Sequence, residues 1–344
     1  MKILVTGGCG FIGSNYVLHR LGTTGDTIVN LDKLTDVSNR ANLAGIEGDA
    51  RYRFVQGDIV DRETVKRAME GVEAVVHFAA ESHVDRSIED ATGFYRTNVE
   101  GTLVLLEDAR RAGVDRFVQI STDEVYGSLG AEGSFHENLP LLPNSPYAAS
   151  KGSADLLVRS FVKTHALSAV ITRCCNNYGP FQFPEKLIPL MIIRALGDMP
   201  LPVYGDGRNV RDWIHVEDHC RAVDLVLERG VPGEVYNVGA RSEMTNLAIV
   251  RTLLTHLGKP ESLIRYVADR PGHDRRYAID PAKIEGEIRW KAERTLEEGL
   301  EATVRWYVDH REWWQVIMER PAWRRYFSAM YDARLENASS TPKE

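Results

Sequence analysis

Short apolar, β-branched runs alternate with longer amphipathic stretches through the first half of the chain. The runs are "KILVT" (2–6), "TIVNL" (27–31), "YRFVQ" (52–56), "EAVVHF" (73–78), "RFVQI" (116–120) and "SAVITR" (168–173). Helical patterns near 11–22, 61–70, 88–112 and 146–165 fall between them, so the order is βαβα. Parallel strands need crossover helices, and this rhythm predicts a doubly wound α/β fold whose parallel sheet is covered on both faces. Ligands of such sheets bind beyond the carboxyl ends of the strands.

After about residue 174 the pattern loosens. "NNYGPFQFPEKLIP" and "GDMPLPVYGDGRN" cluster Pro, Gly and Asn, which predicts long ordered loops rather than further sheet. Helical stretches recur at 185–196, 216–229, 245–257 and 295–318. The division expected is a parallel-sheet domain over 1–174 to which later segments return, a smaller α/β lobe over 175–330, and a flexible tail over 331–344. Trp306, Trp313 and Trp314 in the last long helix are expected to pack core.

Composition narrows the class. A net charge of −7 argues against a general nucleic-acid binder, and no run is apolar and long enough to span a bilayer. "MKILVTGG" enters a strand at once and leaves no room for a secretion signal. Cys9, Cys174, Cys175 and Cys220 fit neither a zinc spacing nor a disulfide framework. They read as reduced thiols in a cytoplasmic protein, and no metal site is expected.

"TGGCGFIG" follows the first strand and opens a helix. Gly7 permits the tight turn, Gly10 lets backbone approach a pyrophosphate, and Gly13 lets helix pack on strand, which is the Rossmann-like arrangement. The helix start offers free N–H groups and a positive dipole end to phosphates. Asp32 ends the second strand, where a carboxylate accepts from the adenosine ribose and repels a 2′-phosphate. NAD is therefore favoured over NADP, although Lys33 next door is a counter-signal. Asp58 in "GDIVD" either faces an adenine or caps the next helix.

"STDEVY" (121–126) puts two carboxylates straight after a buried strand. Adjacent like charges repel, and in a desolvated pocket one of them keeps its proton. "NSPYAASK" makes Ser145 an N-cap and Pro146 the first helical residue, so Tyr147 and Lys151 share one helix face. A free phenol has a pKa of about 10, and a neighbouring ammonium favours its anion.

Together with "HFAAESHVDRS", "TNVEGT", "NNYGP", "EKLIPL", "VYGDGRNVRDWIHVEDH" and "RPGHDRRYAID", these motifs resemble the extended short-chain dehydrogenase/reductases acting on nucleotide sugars, and among them the dTDP-glucose 4,6-dehydratases. The resemblance runs from Met1 to about Trp314. It implies oxidation of the sugar at C4, elimination of water across C5 and C6, and return of hydride to C6 with NAD regenerated. Glu124 then corresponds to the C5 base, Asp123 to the C6 acid, and Thr122 to a partner of the C4 hydroxyl beside Tyr147. The cofactor side implied is Phe11, Ile12, Lys33, Leu34, Thr35, Ile59, Ala79, Ala80, Ser82, Thr97 and Asn177, besides the glycines, Asp32, Asp58, Tyr147 and Lys151.

For the substrate the resemblance implies His83, Asn176, Lys186, Leu187, Pro202, Tyr204, Asn246, His273 and Tyr277, with Arg211 and Arg270 meeting the diphosphate. His77, inside a strand, reads as structural. Asp36, Val37 and Ser38 depart from the Tyr, Ala and Gly usual at these positions. Helices 88–112 and 146–165 carry apolar residues beyond one face, and the resemblance implies a homodimer through a four-helix bundle. A UDP- or CDP-glucose 4,6-dehydratase and a nucleotide-sugar 4-epimerase are the alternatives; the acidic pair speaks against the epimerase.

Overall fold

The computed structural model describes residues 1–341. Its strands are β1 (Lys2–Thr6), β2 (Thr27–Asp32), β3 (Tyr52–Gln56), β4 (Ala74–His77), β5 (Arg116–Thr122), β6 (Ala169–Cys174), β7 (Asn176–Tyr178), β8 (Leu201–Tyr204), β9 (Val210–His215), β10 (Val235–Val238), β11 (Glu243–Thr245) and β12 (Ile264–Val267). Seven form a parallel sheet in the order β10-β6-β5-β4-β1-β2-β3. The order reverses between β1 and β4, and a crevice opens there at the strands' carboxyl ends.

Near-continuous apolar strands are what burial on both faces demands. The covering helices are α1 (Phe11–Thr23), α2 (Arg62–Ala68), α3 (Val84–Glu89), α4 (Thr92–Tyr95), α5 (Thr102–Ala112), α6 (Pro146–His165), α7 (Leu187–Leu196), α8 (Val216–Arg229), α9 (Asn246–Leu257), α10 (Leu296–Asp309), α11 (Arg311–Glu319), α12 (Pro321–Phe327) and α13 (Ala333–Glu336). Tyr16 and Val17 of α1 and Val223 of α8 pack with Ile3, Val5 and Val76 on one face. Val65 of α2, Leu105 of α5 and Val158 of α6 pack with Leu4, Val29 and Val75 on the other.

Two expected helices are interrupted. The stretch expected over 88–112 breaks at Asp90 and Ala91, and its continuation carries a π-helical turn over Arg96–Gly101. Such turns often mark functional sites, and this one holds Thr97 on the wall of the crevice. The stretch expected over 295–318 divides at His310 into α10 and α11.

The second region also corrects the expectation of loops after residue 174. β11, β9 and β7 form one small sheet, and β12 pairs with β8 in another. Their core includes Ile188, Met191, Leu201, Trp213, Ile249, Leu253, Leu300 and Trp314, with Trp306 and Trp313 packed against it. Residues 331–341 fold back on this core: Tyr331 is buried, and Ser339 exchanges two backbone hydrogen bonds with Tyr266, at 2.8 and 3.1 Å. The rest of the expected tail, 342–344, lies outside the described residues. Among the described residues no helix is long and apolar enough to cross a membrane.

Candidate active site

One cleft holds the glycine loop, the acidic pair and the Tyr147 helix together, with about 1560 Å³ between its walls, part of it open to solvent. Gly7 turns at φ +71°, and a Cβ there would lie 2.6 Å from the backbone nitrogen of Ala79. A Cβ on Gly13 would strike the carbonyl oxygen of Gly7. Gly10 caps α1 without a side-chain bond, leaving the first N–H groups of the helix aimed into the cleft with Phe11 and Ile12 on its wall. This cradle is shaped for a phosphate-bearing ligand that approaches backbone.

Asp32 closes β2 and is buried. Its Oδ2 accepts from the Cys9 N–H at 2.9 Å and its Oδ1 from the Leu34 N–H at 2.8 Å. Burial raises its pKa, while those N–H groups and the Ser38 hydroxyl oppose the rise. Lys33 pairs with Asp58 at 3.4 Å. Lys33, Thr35, Asp58, Ile59, Ala79, Ala80 and Ser82 line the cleft with Asn176 and Asn177. Leu34 does not; it supports Asp32 through its backbone while its side chain packs against the sheet core. These residues fit a dinucleotide whose adenosine ribose meets Asp32.

The catalytic candidates hang from the end of β5 and the start of α6. Ser145 caps α6 by accepting from the Ala148 N–H, and Pro146 follows. Thr122 accepts from the Glu124 N–H and donates to Asp123 Oδ1, both at 3.3 Å. Asp123 is 2% exposed and its Oδ2 has no partner. Burial first, then the Glu124 and Asp212 charges, pushes its pKa well above the usual carboxylate range. Burial also raises Glu124, but Arg270, Arg211 and Lys186 oppose it. Both carboxyls are raised, Asp123 the further, so Asp123 is the one of the two that keeps its proton more firmly and Glu124 the one that ionises more readily.

Tyr147 and Lys151 both line the cleft, but their relation differs from the expectation. Lys151 Nζ donates to the Ile120 carbonyl at 2.7 Å, and burial lowers its pKa. Burial, then Glu124 and Cys174, raises the Tyr147 phenol; the Thr122 hydroxyl pulls the other way. From the protein's own groups the phenol is therefore a proton holder, and a cation above it is required to make it a base.

Positive charge gathers at the Glu124 end. Lys186 lines the cleft and donates to the Ser82 carbonyl at 3.1 Å. Arg211 is buried, stacks 4.2 Å over the Tyr277 ring and donates to the Asp274 carbonyl at 2.9 Å. Arg270 meets Asp85 at 3.4 Å. Tyr277 donates to Asp274, and His273 Nδ1 lies 2.6 Å from Asp269 Oδ1. His83 caps α3 beside this group; burial and then Lys186 hold it well below the usual histidine range. Leu187 packs toward the lobe core, Pro202 is buried in β8, and Asn246 opens α9, its N–H given to the Asn209 carbonyl at 3.0 Å.

Sequence reasoning missed Asp85, Glu185 and Phe183. Asp85 is buried between Arg270 and Tyr204; a charge beside the quoted "HV" of "SHVDRS" was its only signal. Glu185 is buried against Arg86 at 2.7 Å. His77 is structural as expected, its ring nitrogens 2.7 Å from Thr6 Oγ1 and 3.1 Å from Thr102 Oγ1.

Comparison with known proteins agrees with this geometry. The family model described as GDP-mannose 4,6 dehydratase matches residues 4–303. A dTDP-glucose 4,6-dehydratase of Streptomyces niveus is 51% identical over 322 residues, spanning 92% of this chain and 96% of that one. The solved dTDP-glucose 4,6-dehydratase of Streptomyces venezuelae, with NAD bound, superposes with a TM-score of 0.90 at 52% identity, covering 92% of this chain and 100% of its own. A UDP-glucose 4-epimerase of Thermotoga maritima shares the fold at a TM-score of 0.84 but is 31% identical, with 90% of this chain and 99% of its own covered. By sequence, fold and the acidic pair at the tip of β5, the chain belongs to the GDP-mannose 4,6 dehydratase family and sits among its dTDP-glucose 4,6-dehydratases.

Proposed function

We propose that the chain dehydrates dTDP-glucose to dTDP-4-keto-6-deoxyglucose. The observation that carries this reading is the Asp123–Glu124 pair, one buried and one half-buried, adjacent on the wall that Tyr147 shares, with Asp123 raised the further of the two. A 4-epimerase shares the fold and has no step that uses both carboxyls.

NAD, when bound in the glycine-loop cradle against Asp32, supplies the acceptor for hydride from C4 and later its donor to C6. Tyr147 takes the C4 hydroxyl proton, with Thr122 orienting that hydroxyl. The C4 ketone acidifies the C5 hydrogen, and Glu124, whose burial-raised pKa is moderated by Arg270, Arg211 and Lys186, removes it as a proton. Asp123, held protonated, gives its proton to the C6 hydroxyl, which leaves as water. Arg211 and Arg270 bind the diphosphate, and Lys186 keeps the sugar end electropositive.

Thymine over uracil or cytosine is supported by the dTDP-glucose 4,6-dehydratases this chain resembles. A cytoplasmic setting fits the four buried free cysteines. A homodimer through α5 and α6 fits the exposed Leu156, 58% accessible on α6, and Tyr95, 43% accessible at the end of α4 on the stretch that leads into α5.

The purified protein with dTDP-glucose and NAD should form the 4-keto product, read by its alkali-induced ultraviolet chromophore. In Glu124→Gln, oxidation at C4 should persist while exchange of the C5 hydrogen with solvent falls by a factor on the order of 10² or more. Absence of chromophore with every nucleoside-diphosphate glucose overturns the reading.

A further inference from the structure

The family match ends at residue 303, yet the chain beyond it packs on one wall of the cleft and on the lobe residues beside Arg270. Arg320 Nη1 donates to the carbonyls of Asp36 and Ser38 at 3.1 and 3.3 Å. Trp323 and Ile317 are buried with Phe183, and Val37 packs on them. Val37 and Phe183 both line the cleft. The segment then crosses the second lobe, buries Met330 and Tyr331 in its core, and ends by pairing Ser339 with Tyr266 in β12.

Midway it presents Arg334 to Tyr204. Arg334 Nη1 donates to the Tyr204 hydroxyl at 2.6 Å, and the guanidinium sits 5.1 Å from the ring centroid, a combined hydrogen bond and cation–π contact. The Tyr331 ring lies 6.3 Å from the same ring. The Tyr204 hydroxyl in turn points to Asp85 Oδ2 at 3.5 Å, and the other oxygen of Asp85 holds Arg270 Nη1 at 3.4 Å. Asp85 is 6% exposed, so this pair is screened little by solvent. Arg270 Nε is buried with no hydrogen-bond partner, a donor that an incoming anionic oxygen satisfies.

We propose that Arg334 is a positioning residue, which fixes Tyr204 and through Asp85 aims Arg270 at the substrate's diphosphate. The inference rests on the nucleotide-sugar reading above and adds a contributor from outside the family-matched region. Its physical basis is pre-organisation: a guanidinium already held in place loses less side-chain freedom when the diphosphate arrives. A residue acting this way changes how tightly substrate binds and leaves the chemical step alone.

The test compares wild type with Arg334→Ala, Tyr204→Phe and the double variant, measuring KM for dTDP-glucose, kcat, and the Kd of thymidine diphosphate by calorimetry. Arg334→Ala should raise KM and Kd roughly 5- to 10-fold, less than a direct charged hydrogen bond to substrate because Arg334 acts through Tyr204 and Asp85, with kcat within about twofold. The double variant should be no worse than Tyr204→Phe alone, because the two act through one path. A purely structural contact would lower the melting temperature and leave KM unmoved. KM and Kd within about twofold of wild type, or penalties that multiply, overturn the inference. If Arg334→Ala does not fold, Arg334→Gln keeps an N–H donor without the charge and must show the KM rise instead. Wild type that turns over no nucleotide sugar defeats the functional reading itself, whereas active wild type with unaltered variants defeats this inference alone.

Discussion

On the sheet side of the cleft the working groups are placed by backbone. Gly7, Asp32, Thr122 and Asp123 sit at or just past strand ends, and Asp32 is held by two main-chain N–H groups. On the lobe side, side chains share the work: the Tyr277 ring lies under Arg211, whose guanidinium also donates to the Val210 and Asp274 carbonyls, and Asp85 holds Arg270. A backbone-built site tolerates almost no change in shape and varies little in charge. A site built from charged side chains tolerates shape changes and is sensitive to each charge. The first suits a cofactor reused at every turnover, the second a substrate that must enter and leave.

The contrast breaks most visibly at Gly13. An added Cβ meets the Gly7 carbonyl, and overpacking of this kind costs about 2–3 kcal/mol. Gly13→Ala should therefore weaken NAD binding by a factor on the order of 10², measured by fluorescence titration, while KM for the sugar in saturating NAD changes little.

On the lobe side Arg211→Ala should raise KM about 10- to 100-fold, the value of a charge-assisted pair, with a smaller change in kcat. Because Arg211 also holds Glu124 down, the acid limb of kcat should move to higher pH in this variant. A KM rise without that movement would separate diphosphate binding from the base.

The effect that is smallest near neutral pH is on stability. Burial first, then the Lys151 charge, pushes His77 down to about 3. An unfolded histidine titrates at about 6.5, so below that the unfolded chain binds the proton the folded chain refuses. Stability is complete above about 6.5 and declines as pH falls toward the folded value. Thermal melts should show this decline, and His77→Gln should flatten only its own part of it, because His215, His219 and His273 are also held down to about 4 and keep the rest.

The same contrast explains what could be read in advance. β1 to β6 were legible because two-sided burial makes each strand an apolar run, and α6 because Ser145 and Pro146 mark its start. β9 was not, since "VRDWIH" puts Arg211 and Asp212 inside the protein, and buried charge hides a strand's pattern. β8 was masked by Pro202. In the site, the acidic pair and the glycine loop stood out by spacing along the chain. The Tyr147–Lys151 spacing was visible, but Lys151's bond to the Ile120 carbonyl crosses from helix to strand and leaves no local trace. Asp85 shows its role only once Arg270, distant in sequence, is brought to it.

The last strand to join the large sheet carries a cost during synthesis. β10 seals the outer edge of β6, yet it leaves the ribosome only after β7, β8, β9, α7 and α8 have all emerged. Until then the growing polypeptide carries an open row of unpaired amides and carbonyls beside a greasy face, a template for sticking to its neighbours. Slow translation or a shortage of chaperones should thus lower the yield of this protein before any loss of folded-state stability is felt.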